Sequence, residues 1–234
     1  MATHLDLEEQ EQLDTLKAFW AQYGNLITWL LILGFGALAA WNGWNWWQRE
    51  QSVKAAALYD QLDAAAQAGD AARVARVFAD LKERFPRTAF AEQGGLLAAK
   101  VQSDKGDAAG AQASLAWVAD NAIEDEYRTI ARLRLAGVLA DAKKFDEALK
   151  QLDGAATAKA FDALVADRRG DILLAQGKRE EAKAAFRKAW DTMGSDINYR
   201  NLIEAKLTVL GAAPATAAAA SAPAVAPAAS GAAK

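Results

Sequence analysis

The sequence predicts an all-α protein in which a single N-terminal transmembrane helix is followed by a solenoid of paired helices. Three observations predict it. No residue between Lys17 and Arg49 is charged. From 49 to 210 apolar residues recur at spacings of three and four, with Pro86 the one proline. That same stretch matches itself at an offset of 34 residues. A chain of 234 residues with net charge −3 can bury a core, and it is too near neutral to suggest a nucleic-acid partner. Without cysteine it has no disulfide, thiolate metal site or cysteine nucleophile; its one histidine, His4, is too few for a multi-histidine metal site, and its place near the N-terminus, where a mobile segment is expected, removes Ser-His-Asp triads from consideration.

The opening segment, residues 1–22, carries Asp6, Glu8, Glu9, Glu11 and Asp14 against Lys17 alone. Leu13, Leu16, Phe19, Trp20 and Tyr23 share one helical stripe, as in an amphipathic helix lying at a bilayer surface. Residues 23–47 form the span. Its centre, Leu26 to Ala40, is apolar enough for hydrocarbon, and aromatics bracket it as an interfacial belt: Trp20, Tyr23 and Trp29 on one side, Trp41, Trp44, Trp46 and Trp47 on the other. From Tyr23 to Trp44 a helix rising about 1.5 Å per residue covers roughly 32 Å, close to the ~30 Å thickness of bilayer hydrocarbon. Ala37-Leu38-Ala39 has the form of a signal-peptide cleavage site, but the acidic leader is the reverse of the basic start such a peptide needs. Lys17 before the span and Arg49 with Lys54 after it leave the orientation open. Gly36, Ala40 and Gly43 have the spacing of a close-packing helix face and equally that of any span rich in small residues.

Residues 48–210 form the second domain. All but Lys17 and Lys234 of the 27 basic residues, and all but the five leading acids of the 30 acidic ones, lie here, so the domain is electrically balanced. Gly69-Asp70, Gly106-Asp107 and Gly177 read as turns between paired helices. Leu135 to Leu139 align with Arg169 to Leu173, and Ala148, Leu152 and Ala155 with Ala182, Phe186 and Ala189, each pair 34 residues apart. Small residues at two close-packing positions with a large one between them are the tetratricopeptide pattern. Gly170, Leu173, Gly177, Ala182, Phe186 and Ala189 match it, while the earlier copy has Ala136 and Lys143 where glycine is usual. Two upstream copies fit at a spacing of 37, through Gly106, Ala111 and Leu115 and through Gly69, Val74, Phe78 and Pro86. Ile197 to Leu210 then reads as a terminal capping helix. Residues 211–234, made of Ala, Pro, Ser, Thr, Gly, one Val and a final Lys, cannot bury a core and read as a disordered tail.

Catalytic chemistry has no foothold in this pattern. Glu124-Asp125-Glu126 and Asp60 with Asp63 lack the spacing of a calcium loop or a paired-acid site. No phosphate-binding glycine motif occurs, and the basic pairs Arg168-Arg169 and Lys178-Arg179 lie beside acids rather than in a stripe. Trp117 and Trp190 read as core. The sequence therefore reads as no enzyme, with no cofactor, and its candidate site is a partner-binding groove on the first helices of the pairs. Counting from the repeat, the inward positions include Ile130, Leu133, Asp141, Leu164, Asp167, Asp171 and Leu174, a mix of apolar and acidic side chains. Tetratricopeptide domains that clamp a terminal carboxylate place Lys, Arg and Asn there, and Leu133, Gly137, Asp167 and Asp171 do not supply them.

The acidic start, the segment Leu16-Lys17-Ala18-Phe19-Trp20-Ala21-Gln22-Tyr23-Gly24-Asn25, the span through Leu33 to Leu38, the tryptophan-rich exit and the degenerate repeats together resemble the YfgM family of bacterial inner-membrane proteins. Those are ancillary subunits of the SecYEG translocon. The resemblance implies a cytoplasmic N-terminus, a periplasmic repeat domain, association with SecYEG, and partnership with the periplasmic chaperone PpiD; a scaffold so placed is expected to recruit chaperones or emerging secretory clients. It brings no catalytic motif. From the residues alone, a membrane-tethered scaffold facing the cytoplasm and serving envelope or signalling assembly remains the alternative.

Overall fold

The computed structural model describes residues 7–155, 159–194 and 198–214. The first residues of the acidic leader, Ile197 at the start of the expected cap, and 215–234 of the expected tail lie outside them. Among the described residues there is no strand, and the helices run in the order α1 (Leu7–Gln67), α2 (Ala71–Arg84), α3 (Ala89–Asp104), α4 (Ala108–Asn121), α5 (Asp125–Asp141), α6 (Phe145–Asp153), α7 (Asp162–Ala175), α8 (Arg179–Thr192) and α9 (Tyr199–Val209). A single 3₁₀ turn, Lys159–Phe161, precedes α7. The fold is the expected one: all α, one apolar N-terminal helix, then helix pairs.

Helix α1 runs unbroken through the boundaries expected near 22 and 47, because no glycine turn or proline interrupts it before Gly69. By packing, the chain divides between Lys54 and Ala55. In the first unit the apolar window of α1 is only 6% buried. Trp20, Tyr23, Trp29, Trp41, Trp44, Trp46 and Trp47 are all exposed, as are the leucines and Ile32 between them. So large an uncovered apolar surface on a lone helix suits hydrocarbon rather than water.

The second unit alternates two kinds of helix. The end of α1 from Ala55, with α3, α5, α7 and α9, are first helices; α2, α4, α6 and α8 are second helices. Each first helix ends the same way, with one residue in the left-handed region: Gly69, Gly106, Lys143, Gly177 and Gly211, at φ between 59° and 80°. The next amide closes a six-residue loop onto the helix: Asp70 N donates to Ala65 O, Asp107 N to Gln102 O, Lys144 N to Leu139 O, Lys178 N to Leu173 O and Ala212 N to Leu207 O, at 2.8–3.0 Å. This is the Schellman stop, which favours glycine because a Cβ is strained at such φ. Lys143 shows that the repeat enforces the turn even without one.

Within the pairs, the repeat residues are the core. Val74, Ala111, Ala148 and Ala182 are fully buried, and Phe78, Leu115, Leu152 and Phe186 fill the space beside them. A Cβ on Gly170 would lie 2.5 Å from the Phe186 ring, so α7 and α8 meet at backbone distance only because that residue has none. Trp117 stands edge-on to Phe78, centroids 5.6 Å apart, and Trp190 carries the Arg200 guanidinium 4.0 Å above its ring. Both tryptophans pack inside the domain. The cap is helix α9: Ile203, Leu207 and Leu210 bury against Phe186, Ala182 and Ala189.

Candidate functional site

The face made by the first helices is where each predicted groove residue can be placed. Ile130 and Leu133 on α5 are half-buried and lean on the core; Asp141 at the end of α5 is exposed. Leu164 on α7 is half-buried, and Leu174 is 38% exposed. Asp167 is a different case. It is 2% exposed, because α9 lies over it: the Tyr199 hydroxyl donates to Oδ2 at 2.7 Å, and Lys206 Nζ donates to both carboxylate oxygens at 2.8 and 3.0 Å. The same ammonium donates to Asp171 Oδ1 at 2.8 Å. Burial, and after it the acceptor Asp167, push the Tyr199 phenol far above its usual value, so it stays a donor. Asp167 and Asp171 therefore face the chain's own cap.

Successive first helices are tied along this face. Tyr59 packs its ring 5.7 Å from Phe90, and Gln93 Nε2 donates to the Tyr127 hydroxyl at 2.8 Å. Burial, then the neighbouring Asp63, raise the Tyr59 phenol. Glu92 is 1% exposed, and its Oε1 accepts from Ile123 N at 2.7 Å. Burial raises its carboxyl above the ordinary range, partly offset by that amide. It joins α3 to the start of the next pair.

Between α3, α5 and α7 lies a recess of about 430 Å³. Lys100, Arg134 and Arg168 line it, one cation from each of three consecutive first helices, with Asp104 and Asp141 at its edge and Leu115 and Val138 among its apolar walls. Lys100 is already paired with Asp104 at 2.7 Å. The Arg168-Arg169 pair divides: Arg169 reaches Asp153 at 2.5 Å, while Arg168 spreads over Gly137 in the recess. Inward counting from the repeat omits all three cations, because Arg134 and Arg168 each follow an inward position by one residue. Part of their signal is present as periodicity, since Arg134 and Arg168 are 34 residues apart and occupy equivalent places in their repeats. A larger hollow beside Glu11, Thr15 and Phe19 is bounded by α1 alone and encloses nothing.

The tetratricopeptide repeat-like domain profile matches residues 17–212 of this chain. A Neisseria gonorrhoeae protein named ancillary SecYEG translocon subunit is 31% identical over 214 residues, covering 90% of this chain and 100% of its own. The chain belongs to the family of ancillary SecYEG translocon subunits. A Haemophilus influenzae protein of the same name is 31% identical, over 83% of this chain and 94% of its own length, and one from Escherichia coli is 30% identical, over 76% and 85%. The family is of a non-catalytic type, built on a helical-repeat domain; in this chain one helix is long and apolar enough to cross a membrane. Two of the acids singled out from the sequence make local contacts along their own helices. Asp125 pairs with Arg128, and Asp63 accepts from the Gln67 amide at 2.7 Å.

Proposed function

We propose that this protein is a single-pass inner-membrane scaffold of the SecYEG translocon, with its repeat domain in the periplasm. That domain offers its first-helix face to chaperones of the PpiD kind or to secretory chains as they emerge. The observation that carries the reading is the agreement, over 90% of this chain, with a relative named for that translocon. The physical features are of a piece with it: an exposed aromatic-flanked helix suited to a bilayer, and an open stretch of first-helix face on α3 and α5 where stacked repeats hold extended or helical partners. Residues 1–22 then lie on the cytoplasmic side, 23–47 in the membrane, and 48–210 outside.

Two experiments test this. Affinity purification in mild detergent recovers translocon and chaperone subunits if the reading holds; recovery of neither sinks it. Single cysteines placed near residues 5 and 160 of this cysteine-free chain, labelled in intact cells with an impermeant thiol reagent, report orientation. Labelling near residue 160 alone is expected. Labelling near residue 5 alone would put the repeats in the cytoplasm and favour the envelope or signalling scaffold instead.

A further inference from the structure

We propose that the recess between α3, α5 and α7 binds an acidic peptide segment, seating one side-chain carboxylate between Arg134 and Arg168 with a neighbouring aliphatic side chain on Val138. The inference rests on the scaffold reading for the direction the face presents, and it names what the face recognises.

Charge accounting picks out this spot. Several charges on the first helices are met internally: Asp167 and Asp171 by Lys206, Arg128 by Asp125, and, within the recess, Lys100 by Asp104. Arg134 and Arg168 have no ion pair among the described residues, and both are exposed at the edge of the recess. With Lys100 and Asp104 cancelling, the recess holds two guanidinium groups against the single carboxylate of Asp141, one positive charge in excess. A planar guanidinium with several donors is matched by a carboxylate, which two of them can grip from either side. Gly137 keeps the space open: a Cβ there would meet nothing nearer than Arg168 Nη1 at 3.8 Å, so a bulkier residue enters the recess and not the core. The apolar walls add a contact that a free anion could not use. A segment carrying Glu or Asp beside Leu, Ile or Val satisfies both parts, whereas a basic or purely apolar one would leave the arginines unmatched.

Fluorescence anisotropy with the full-length protein in detergent tests the proposal. The probe is a dye-labelled ten-residue peptide with both ends blocked and a Glu-Leu centre, compared with its Gln-Leu twin. The glutamate peptide is expected to bind about tenfold more tightly, and the difference should shrink as salt rises. R134E/R168E should abolish the preference, R134K/R168K should keep part of it, and G137L should block both peptides while the helical signal and melting temperature stay near those of the parent. D141N removes the competing carboxylate and should tighten glutamate binding, an outcome no misfolded variant can give. Equal binding of the two peptides, indifference to all four variants, or preference for a Gln-Leu peptide with a free C-terminus or for anionic lipid vesicles would each overturn the proposal. Failure here alongside intact recovery of the translocon would remove the peptide site and leave the scaffold reading standing.

Discussion

The middle and the end of the first-helix face use the same materials to opposite effect. On α7 two acids, Asp167 and Asp171, are covered by α9 and met by Lys206, and Asp167 takes the Tyr199 hydroxyl as well. On α5, one repeat earlier, Arg134 and Asp141 stand at an open recess with no such cover. Repetition places equivalent backbones side by side, so the difference comes from the helix that stacks next to each pair. After α6 the next first helix, α7, lies alongside and reaches over with Arg168; after α8 the chain ends its solenoid with a cap whose lysine satisfies the acids beneath it. A terminal repeat must close its own face, and an internal one is free to leave it for a partner.

The sharpest way to break this contrast is to unseal the closed end. K206M leaves the nearly buried Asp167 with a hydroxyl as its only described partner, and a loss of about 2–3 kcal/mol is expected in urea unfolding, with faster hydrogen exchange in α9. D167N on top of K206M should recover most of that loss, since the uncompensated charge has gone. Next in size is a pair of glycine substitutions, one at the seam between α7 and α8 and one at the open recess. G170A drives a Cβ to 2.5 Å from the buried Phe186 ring and should cost about 1–3 kcal/mol. G137A meets only open recess and should gain about 0.5–1 kcal/mol from helix propensity. Equal effects would mean that the middle is packed as tightly as the end.

A smaller gain, about 0.5–1 kcal/mol by thermal or urea unfolding, is expected for K143G, which relieves the one non-glycine at a left-handed helix stop among the described residues. The last difference is one of slope. Glu92 is as buried as Asp167, yet it has a backbone amide where Asp167 has a lysine. Its native carboxyl is raised by burial above the reference value of 4.5, with Glu124 adding to the rise and the backbone amides and Arg128 opposing it. The native state therefore holds that proton more firmly than the unfolded chain does. The stabilisation is complete below pH 4.5 and is lost as pH climbs through the raised native value. Unfolding free energies measured across that window should fall in the parent and fall less in E92Q; identical slopes would show that Glu92 is no better protonated folded than unfolded.

Local pattern was enough to define the span and the helix pairs. Hydrophobicity without charge marks the span, because a bilayer rejects ions residue by residue. The 34- and 37-residue registers, the glycines at the ends of the first helices, and the small residues opposite Phe186 and Leu152 mark the pairs, because each is a steric requirement met within one or two helices. The left-handed turn at Lys143 is half legible: its place in the register is plain, its conformation is not, since lysine alone disfavours it. The character of the face, by contrast, emerges only from the stacked fold. Asp167 and Asp171 count as inward residues, and nothing local says that Lys206, more than thirty positions later, takes them up. Arg134 and Arg168 sit one residue off the inward count, and only packing aims their long side chains into a shared recess with Lys100. Backbone periodicity fixes where a Cα lies. Where a charged group at the end of a flexible chain comes to rest is set by the neighbouring helix, and that neighbour exists only once the repeats have stacked.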